Sequence, residues 1–198
     1  MLAHCPERVL PGNVILELGT NDRIIGGISA QSSAKAAELY RTFVTGNLLI
    51  TDSTTAEFTK LAENTYRDLN IALANELAQI AEATGVDVTE VIELANRHPR
   101  VNILTPGPGV GGHCIPIDPW FLVSKAQSIS TLIPAARQVN DSQPEFVANR
   151  VLNALDDITA PRVAILGVAY KGNVSDVRET PATAVIDILE KANVEIRV

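Results

Sequence analysis

From Ser53 to Thr84 the chain contains no Gly or Pro, and Gly85 then ends the run. No other feature constrains the fold as strongly. Ser53 is read as the N-cap, with Thr54 and Thr55 as further candidates, and Glu57 falls in the first turn, where a carboxylate favours the helix dipole. Leu61, Leu69, Leu73, Leu77 and Ile80 recur at helical spacing. A helix of about 29 residues would run roughly 40 Å, beyond the usual length of roughly 8 to 20 residues. Such a rod needs partners along its length, so it predicts a domain spine and a symmetric homodimer through its apolar stripe.

The segments around it read differently. Residues 1–30 carry Pro6, Pro11, Gly12, Gly19, Gly26 and Gly27 around the short apolar runs Val14–Leu16 and Ile24–Ile25, a strand-and-loop pattern. Ser32 or Ser33 is expected to cap a helix reaching about Phe43, and Leu48–Thr51 reads as a strand. Asp87 or Thr89 caps a short helix to about Asn96, and a loop rich in Pro and Gly follows as far as Pro119. Helices are expected from about Trp120 to Ala126 and from Pro134 to Asp157, with a break near Pro144. Beyond Pro161 the pattern changes to Arg162–Gly167, a buried parallel-type strand, then a helix at about Pro181–Ala192 and a strand at Val194–Val198. The fold class is a mainly α-helical central domain with one very long helix, followed by the start of an α/β Rossmann-like parallel sheet.

Composition narrows the function classes. Lys plus Arg is 16 against 23 Asp plus Glu, a net charge of −7 that excludes a generally basic nucleic-acid binder. With 46% hydrophobic and 20% charged residues the chain is globular rather than disordered, and its 4% aromatics leave Ala, Leu, Ile and Val to build the core. Two cysteines make no disulfide framework, which points to a cytoplasmic protein. No apolar run approaches the roughly 20 residues needed to span a bilayer, and the N-terminus does not read as a secretory signal. Neither a membrane nor a nucleic acid is an expected partner.

Three groups of residues carry chemistry. Gly107-Pro108-Gly109-Val110-Gly111-Gly112 has the G-x-G-x-x-G spacing of dinucleotide loops, but Pro116 and Pro119 follow where a helix N-terminus should cradle the pyrophosphate. The glycines then serve a close backbone approach to a ligand or a tight turn. In the same loop stand Cys114, a nucleophile as its thiolate, and Asp118, which can orient water or move a proton. A buried structural cysteine is the alternative. Lys60, Asn64 and Arg67 follow one helical stripe and suit a phosphate or a developing oxyanion, a solvated face with Glu63 being the alternative. Tyr170, Lys171, Gly172 and Asn173, with Arg178, form a cationic loop beyond a strand end, where open α/β sheets bind anionic ligands. Two cysteines and three histidines at unrelated spacings give no metal-ligand set.

Taken together, five segments resemble the family of UDP-sugar 6-dehydrogenases, the UDP-glucose/UDP-N-acetylmannosamine dehydrogenase family: 5–12 (CPERVLPG), 60–68 (KLAENTYRD), 96–101 (NRHPRV), 106–114 (PGPGVGGHC) running on to 118–120 (DPW), and 169–173 (AYKGN). His113 before the cysteine and Ile117 point to the hexosamine branch, UDP-N-acetyl-D-mannosamine before UDP-N-acetylglucosamine. The resemblance implies an NAD-dependent oxidation of the C6 alcohol to a carboxylate, for surface polysaccharide biosynthesis. Cys114 would form a thiohemiacetal and then a thioester. Lys60 would move protons and, with Asn64, stabilise oxyanions, and Asp118 would handle water. It further implies that Arg8, Val9, Arg67, Gly111, Tyr170, Lys171 and Arg178 hold the UDP-sugar, that His98 and Arg100 reach the substrate of a second subunit, and that Lys171 also lies near NAD. Residues 1–30 would be the tail of an NAD-binding Rossmann domain, 31–158 a helical central dimerisation domain, and 159–198 the first β-α-β of a UDP-binding domain. A chain so composed is expected to be inactive alone. A non-catalytic dimerisation or nucleotide-sugar-binding module is the alternative function.

Overall fold

The computed structural model describes residues 1–10 and 12–198, which form two compact units, Met1–Glu63 and Asn64–Val198. The division falls inside the longest helix. Pro11, part of the first family-like segment, lies outside the described residues.

The first unit holds strand β1 (Ala3–His4), helix α1 (Val14–Thr20), strand β2 (Arg23–Gly27), helix α2 (Ala30–Tyr40) and strand β3 (Leu48–Asp52). β1 pairs antiparallel with β2, and β2 runs parallel to β3 in the register Arg23↔Leu48 through Gly27↔Asp52. Ile24, Ile25 and Ala37 are buried, so one β-α-β crossover supplies the core. The helix begins earlier than expected. Ser29, not Ser32 or Ser33, is the cap, accepting from the Ser32 N–H. Ser33 sits buried inside α2, where its Oγ accepts from Gly27 N–H at 2.9 Å and bonds β2 to the helix.

Val14–Leu16 forms the start of α1 rather than a strand. A short apolar run does not distinguish the two conformations. Here the Glu17 carboxylate decides, accepting from Leu10 N–H at 2.7 Å and from Asn21 Nδ2. No residue of α1 is buried.

Helix α3 (Ser53–Thr84, 32 residues) is the expected rod. Its cap is Asp52, whose carboxylate accepts from Thr55 N–H at 2.9 Å, and Ser53 is already helical. Gly85 ends it in the left-handed conformation, φ +71°. The buried positions on the rod are small or polar: Ala56, Asn64, Thr65, Asp68, Ala72, Ala74, Asn75 and Ala81. Of the leucine stripe, Leu73 and Ile80 lie open, 47% and 53% exposed, while Leu61, Leu69 and Leu77 are half-buried.

The second unit continues with α4 (Val88–Ala95), α5 (Asp118–Lys125), α6 (Leu132–Ala154), β4 (Arg162–Ala164), α7 (Pro181–Lys191) and β5 (Glu195–Arg197). α6 passes through Pro144 without the expected break. β4 and β5 pair in parallel, and Ala148 of α6 packs with Val185, Leu189 and Val194 beneath them. The expected buried strand is half open, and Leu166 beyond it is 96% exposed. In a two-stranded ladder both strands are edges, so a continuous apolar run cannot be covered on both faces.

α3 and α6 join through a polar seam. Asp68 Oδ1 accepts from Arg137 Nη1 at 2.6 Å and from Asn140 Nδ2 at 2.9 Å. Asn75 Nδ2 donates to Asn140 Oδ1 at 2.9 Å, and Gln79 Nε2 to Gln143 Oε1 at 2.7 Å. Glu82 pairs with Arg150 at its end, 2.8 Å apart. Among the described residues no helix is long and apolar enough to cross a membrane.

Candidate active site

Cys114 stands on a turn closed by its own carbonyl, which accepts from Ile117 N–H at 3.1 Å and Asp118 N–H at 2.8 Å. Two acceptor contacts on one oxygen fix the backbone between the thiol and the carboxylate. Cys114 is exposed, so the structural alternative of a thiol sealed in the core does not hold. Asp118 opens α5, with Pro119 in the first helical turn, where the missing N–H is no loss. The Asp118 carboxylate is half-buried and Oδ2 accepts from Asn64 Nδ2 at 2.5 Å. Asn64 itself is only 5% exposed. Its Nδ2 carries a second N–H, and its amide can therefore hold Asp118 and still donate to a ligand.

Lys60 precedes Asn64 by one turn of α3 and is half-buried. Arg67 does not share the inward face with Asn64 and is exposed. Gly111 lies against Tyr170: an added Cβ would meet Tyr170 Cβ at 2.5 Å and Glu179 O at 2.9 Å. The glycine is required there by a close approach of the protein's own loops. Tyr170 and Lys171 are half-buried in the same unit. Arg178 is exposed and turned onto Asp176, with Nε to Oδ1 at 2.9 Å and Nη2 to Oδ2 at 2.7 Å. That fork holds the Asp176 carboxyl well below its ordinary value and pushes the guanidinium up.

His98 and Arg100 are exposed on a separate loop, which Asn96 clasps by accepting from Ile103 N–H at 2.7 Å and donating to its carbonyl at 3.0 Å. In the first unit Arg8 is engaged by Glu63, Nη2 to Oε1 at 2.8 Å, and by the carbonyl of Asp22. Val9 is half-buried, and its N–H, like that of Arg8, donates to Glu7 Oε1. Asn64, Cys114 and Asp118 are thus joined, and Gly111 and Tyr170 touch. His98 and Arg100 keep to their own loop, whereas Arg178 is tied through Asp176 to Tyr170, whose N–H donates to the Asp176 carbonyl at 3.3 Å.

Two sets of polar residues were missed in the sequence. Glu7, with Arg23 behind it at 3.2 Å, shapes the turn presenting Arg8 and Val9. Burial pushes the Glu7 carboxyl up, but the Arg8 N–H, the Arg23 guanidinium and the Val9 N–H outweigh it and hold it below its ordinary value. The second set is the seam of Asp68, Asn75, Arg137 and Asn140. Its only trace in the sequence is the return of polar side chains at 64, 68, 75 and 79 to one helical face.

The glycine loop is not a dinucleotide cradle. No strand precedes it, α5 begins only at Asp118, and Tyr170 fills the space beside Gly111. The β2-α2-β3 crossover has the arrangement that such ligands use, since parallel sheets bind them beyond the carboxyl ends of the strands. Gly27 and Asp52 stand at those ends, beside the α2 N-terminus. Among the described residues no group of three or more His, Cys, Asp or Glu could hold a metal ion.

Comparison with known proteins agrees in all three regions. The UDP-glucose/GDP-mannose dehydrogenase family matches through its NAD binding domain over residues 1–44, its central domain over 54–142 and its UDP binding domain over 164–198. A UDP-N-acetyl-D-mannosamine dehydrogenase of Methanococcus vannielii is 55% identical over 98% of this chain and 46% of its own length. An NDP-N-acetyl-D-galactosaminuronic acid dehydrogenase of Ralstonia nicotianae is 53% identical over 95% of this chain and 44% of its own length. The structure of a UDP-D-ManNAc dehydrogenase from Pyrococcus horikoshii superposes with a TM-score of 0.92 at 50% identity, covering 98% of this chain and 48% of that one. The chain spans about half the length of the curated relatives it matches.

Proposed function

Because the chain belongs to the UDP-glucose/GDP-mannose dehydrogenase family, we propose that it carries the thiol and part of the sugar site of an NAD-dependent UDP-N-acetyl-D-mannosamine 6-dehydrogenase serving surface polysaccharide biosynthesis. The observation that carries this reading is the exposed Cys114 on a turn tied through Asp118 to the Asn64 amide. NAD, when bound, supplies the oxidising power that no side chain here has. The β2-α2-β3 crossover and Lys171 are the groups proposed to hold it.

Cys114 Sγ adds to the C6 aldehyde carbon to give a thiohemiacetal, and the new oxyanion is met by the free Asn64 N–H and the Lys60 ammonium. Losing one such donor costs about 10² to 10³ in rate. Once the carbon stands at the acid level as a thioester, Asp118 takes a proton from the attacking water, and the thiolate leaves. Asn64 keeps that carboxylate aimed. Arg8, Val9, Arg67, Gly111, Tyr170, Lys171 and Arg178 bind the UDP-sugar, which requires Arg8 to leave Glu63 and Arg178 to leave Asp176. His98 and Arg100 serve the substrate of a second copy, and the open Leu73–Ile80 face of α3 forms the homodimer. The central helical domain gives way to the UDP-binding domain near residue 158. The protein works in the cytoplasm.

The test is to exchange this chain into the matching segment of the Pyrococcus horikoshii relative and follow NADH. UDP-N-acetyl-D-mannosamine should yield two NADH per sugar, outpacing its gluco and galacto epimers, and Cys114→Ala should abolish uronate formation. Binding of the UDP-sugar without NADH would support a non-catalytic module instead, and uronate formation by Cys114→Ala would end the cysteine mechanism.

A further inference from the structure

The loop that carries Cys114 is held by α3 at both ends. At its far end Asn64 Nδ2 donates to Asp118. At its near end Asn75 Oδ1 accepts from the Gly107 N–H at 2.8 Å. The two asparagines are about three turns apart on one face, so their anchor points lie on the order of 16 Å apart along the helix. Asn75 is fully buried, and its own orientation is set from α6. Its Nδ2 donates to Asn140 Oδ1, while Asn140 Nδ2 donates to the carbonyl and carboxylate of Asp68. With the donor side of Asn75 so engaged, its carbonyl can only face the loop. Gly107 has open space around the position of a Cβ, so its amide, not its lack of a side chain, is what the structure uses.

From this we infer that Asn75, oriented by Asn140, is a positioning residue for Cys114: it holds the entry of the 107–118 loop as Asn64 holds its exit. The inference rests on the proposed role of Cys114 only for its catalytic consequence. A thiol displaced by about 1 Å can lose on the order of 10²-fold in rate.

Hydrogen exchange on the 198-residue chain tests the anchoring without any chemistry. In Asn75→Ala the Ile117 and Asp118 amides, which close the Cys114 turn, should exchange about tenfold faster, as for a loop opened by about 1.4 kcal/mol. Gln79→Ala is the control: Gln79 bonds to Gln143 on the same seam and, among the described residues, makes no side-chain hydrogen bond to the 107–118 loop. It should leave those amides at wild-type rates. Wild-type exchange in Asn75→Ala, or equal acceleration in both variants, overturns the inference. In the exchanged full-length enzyme Asn75→Ala should lower kcat with KM for the UDP-sugar unchanged, and an unchanged kcat would also overturn it. Cys114→Ala run alongside reports separately on the thiol, because its turnover has no bearing on the exchange rates.

Discussion

Replacing Arg137 by Met removes one half of a buried ion pair and leaves the other half in place. Asp68 has no exposed surface, Arg137 is buried, and the pair is closed at 2.6 Å. Removing a single partner of such a pair costs about 3–5 kcal/mol, because the remaining charge is left in low dielectric. Asp68 keeps the Asn140 amide, which offsets a fraction of that. Its Oδ2 has no partner among the described residues, so a proton can be taken up there. Burial already pushes the Asp68 carboxyl up, with Arg137 and Asn140 opposing. Without Arg137 the folded-state value rises further above the unfolded one of about 3.9. The sign follows from linkage: the folded state now binds the proton more tightly, so the penalty is absent at acid pH and grows as pH rises through the folded value. Urea unfolding of Arg137→Met at a series of pH values reads this directly. At neutral pH the midpoint should fall by about 2 M for a slope near 2 kcal/mol/M. The deficit relative to wild type should shrink towards pH 4. Adding Asp68→Leu should recover a large part of the lost stability, since an apolar pair replaces the stranded carboxylate. A deficit below about 1 kcal/mol at neutral pH, the size of an exposed pair, would refute the reasoning, as would a pH-independent one.

Other consequences are as direct. Gly111→Ala brings a Cβ to 2.5 Å from Tyr170 Cβ. Overpacking of that kind costs about 1–3 kcal/mol, to be read as a lower melting temperature together with weaker UDP-sugar binding by calorimetry. The Glu7 carboxyl should titrate below the ordinary glutamate value by NMR, and its stabilisation of the Arg8–Val9 turn should be present above about pH 4.3 and lost as pH falls through the lowered value. Arg23→Met should move that titration upward. Leu73→Glu places a charge on the open face of α3 and should turn a dimer into a monomer by light scattering. A wild-type monomer would refute the proposed interface.

The rod was legible because thirty or so residues without a helix breaker admit few other conformations. That Cys114 and Asp118 lie near each other was legible from their spacing in the sequence, but the turn that joins them and the start of α5 at Asp118 were not. Which face of the rod would be buried was not legible. The leucines at 61, 69, 73, 77 and 80 have the periodicity of a packing stripe, yet Asn64, Asp68 and Asn75 lie inside and Leu73 and Ile80 lie outside. Helical period locates a face but does not say which partner covers it. The partners of Asp68 and Asn75 on α6 are distant in the sequence, and no local pattern reports them. Val14–Leu16 failed for a different reason: a three-residue apolar run has no period, and the conformation was settled by the Glu17 carboxylate.

The joint between α3 and α6 is keyed rather than greased. Apolar surfaces can slide by a fraction of a turn and find new neighbours, but Asp68, Asn75 and Gln79 each meet specific polar groups of α6. A single-residue insertion in either helix would rotate its remainder by about 100° and unmatch every pair beyond it at once. The two helices therefore move as one strut, and a pull on α6 reaches the thiol loop through Asn140 and Asn75 without slack.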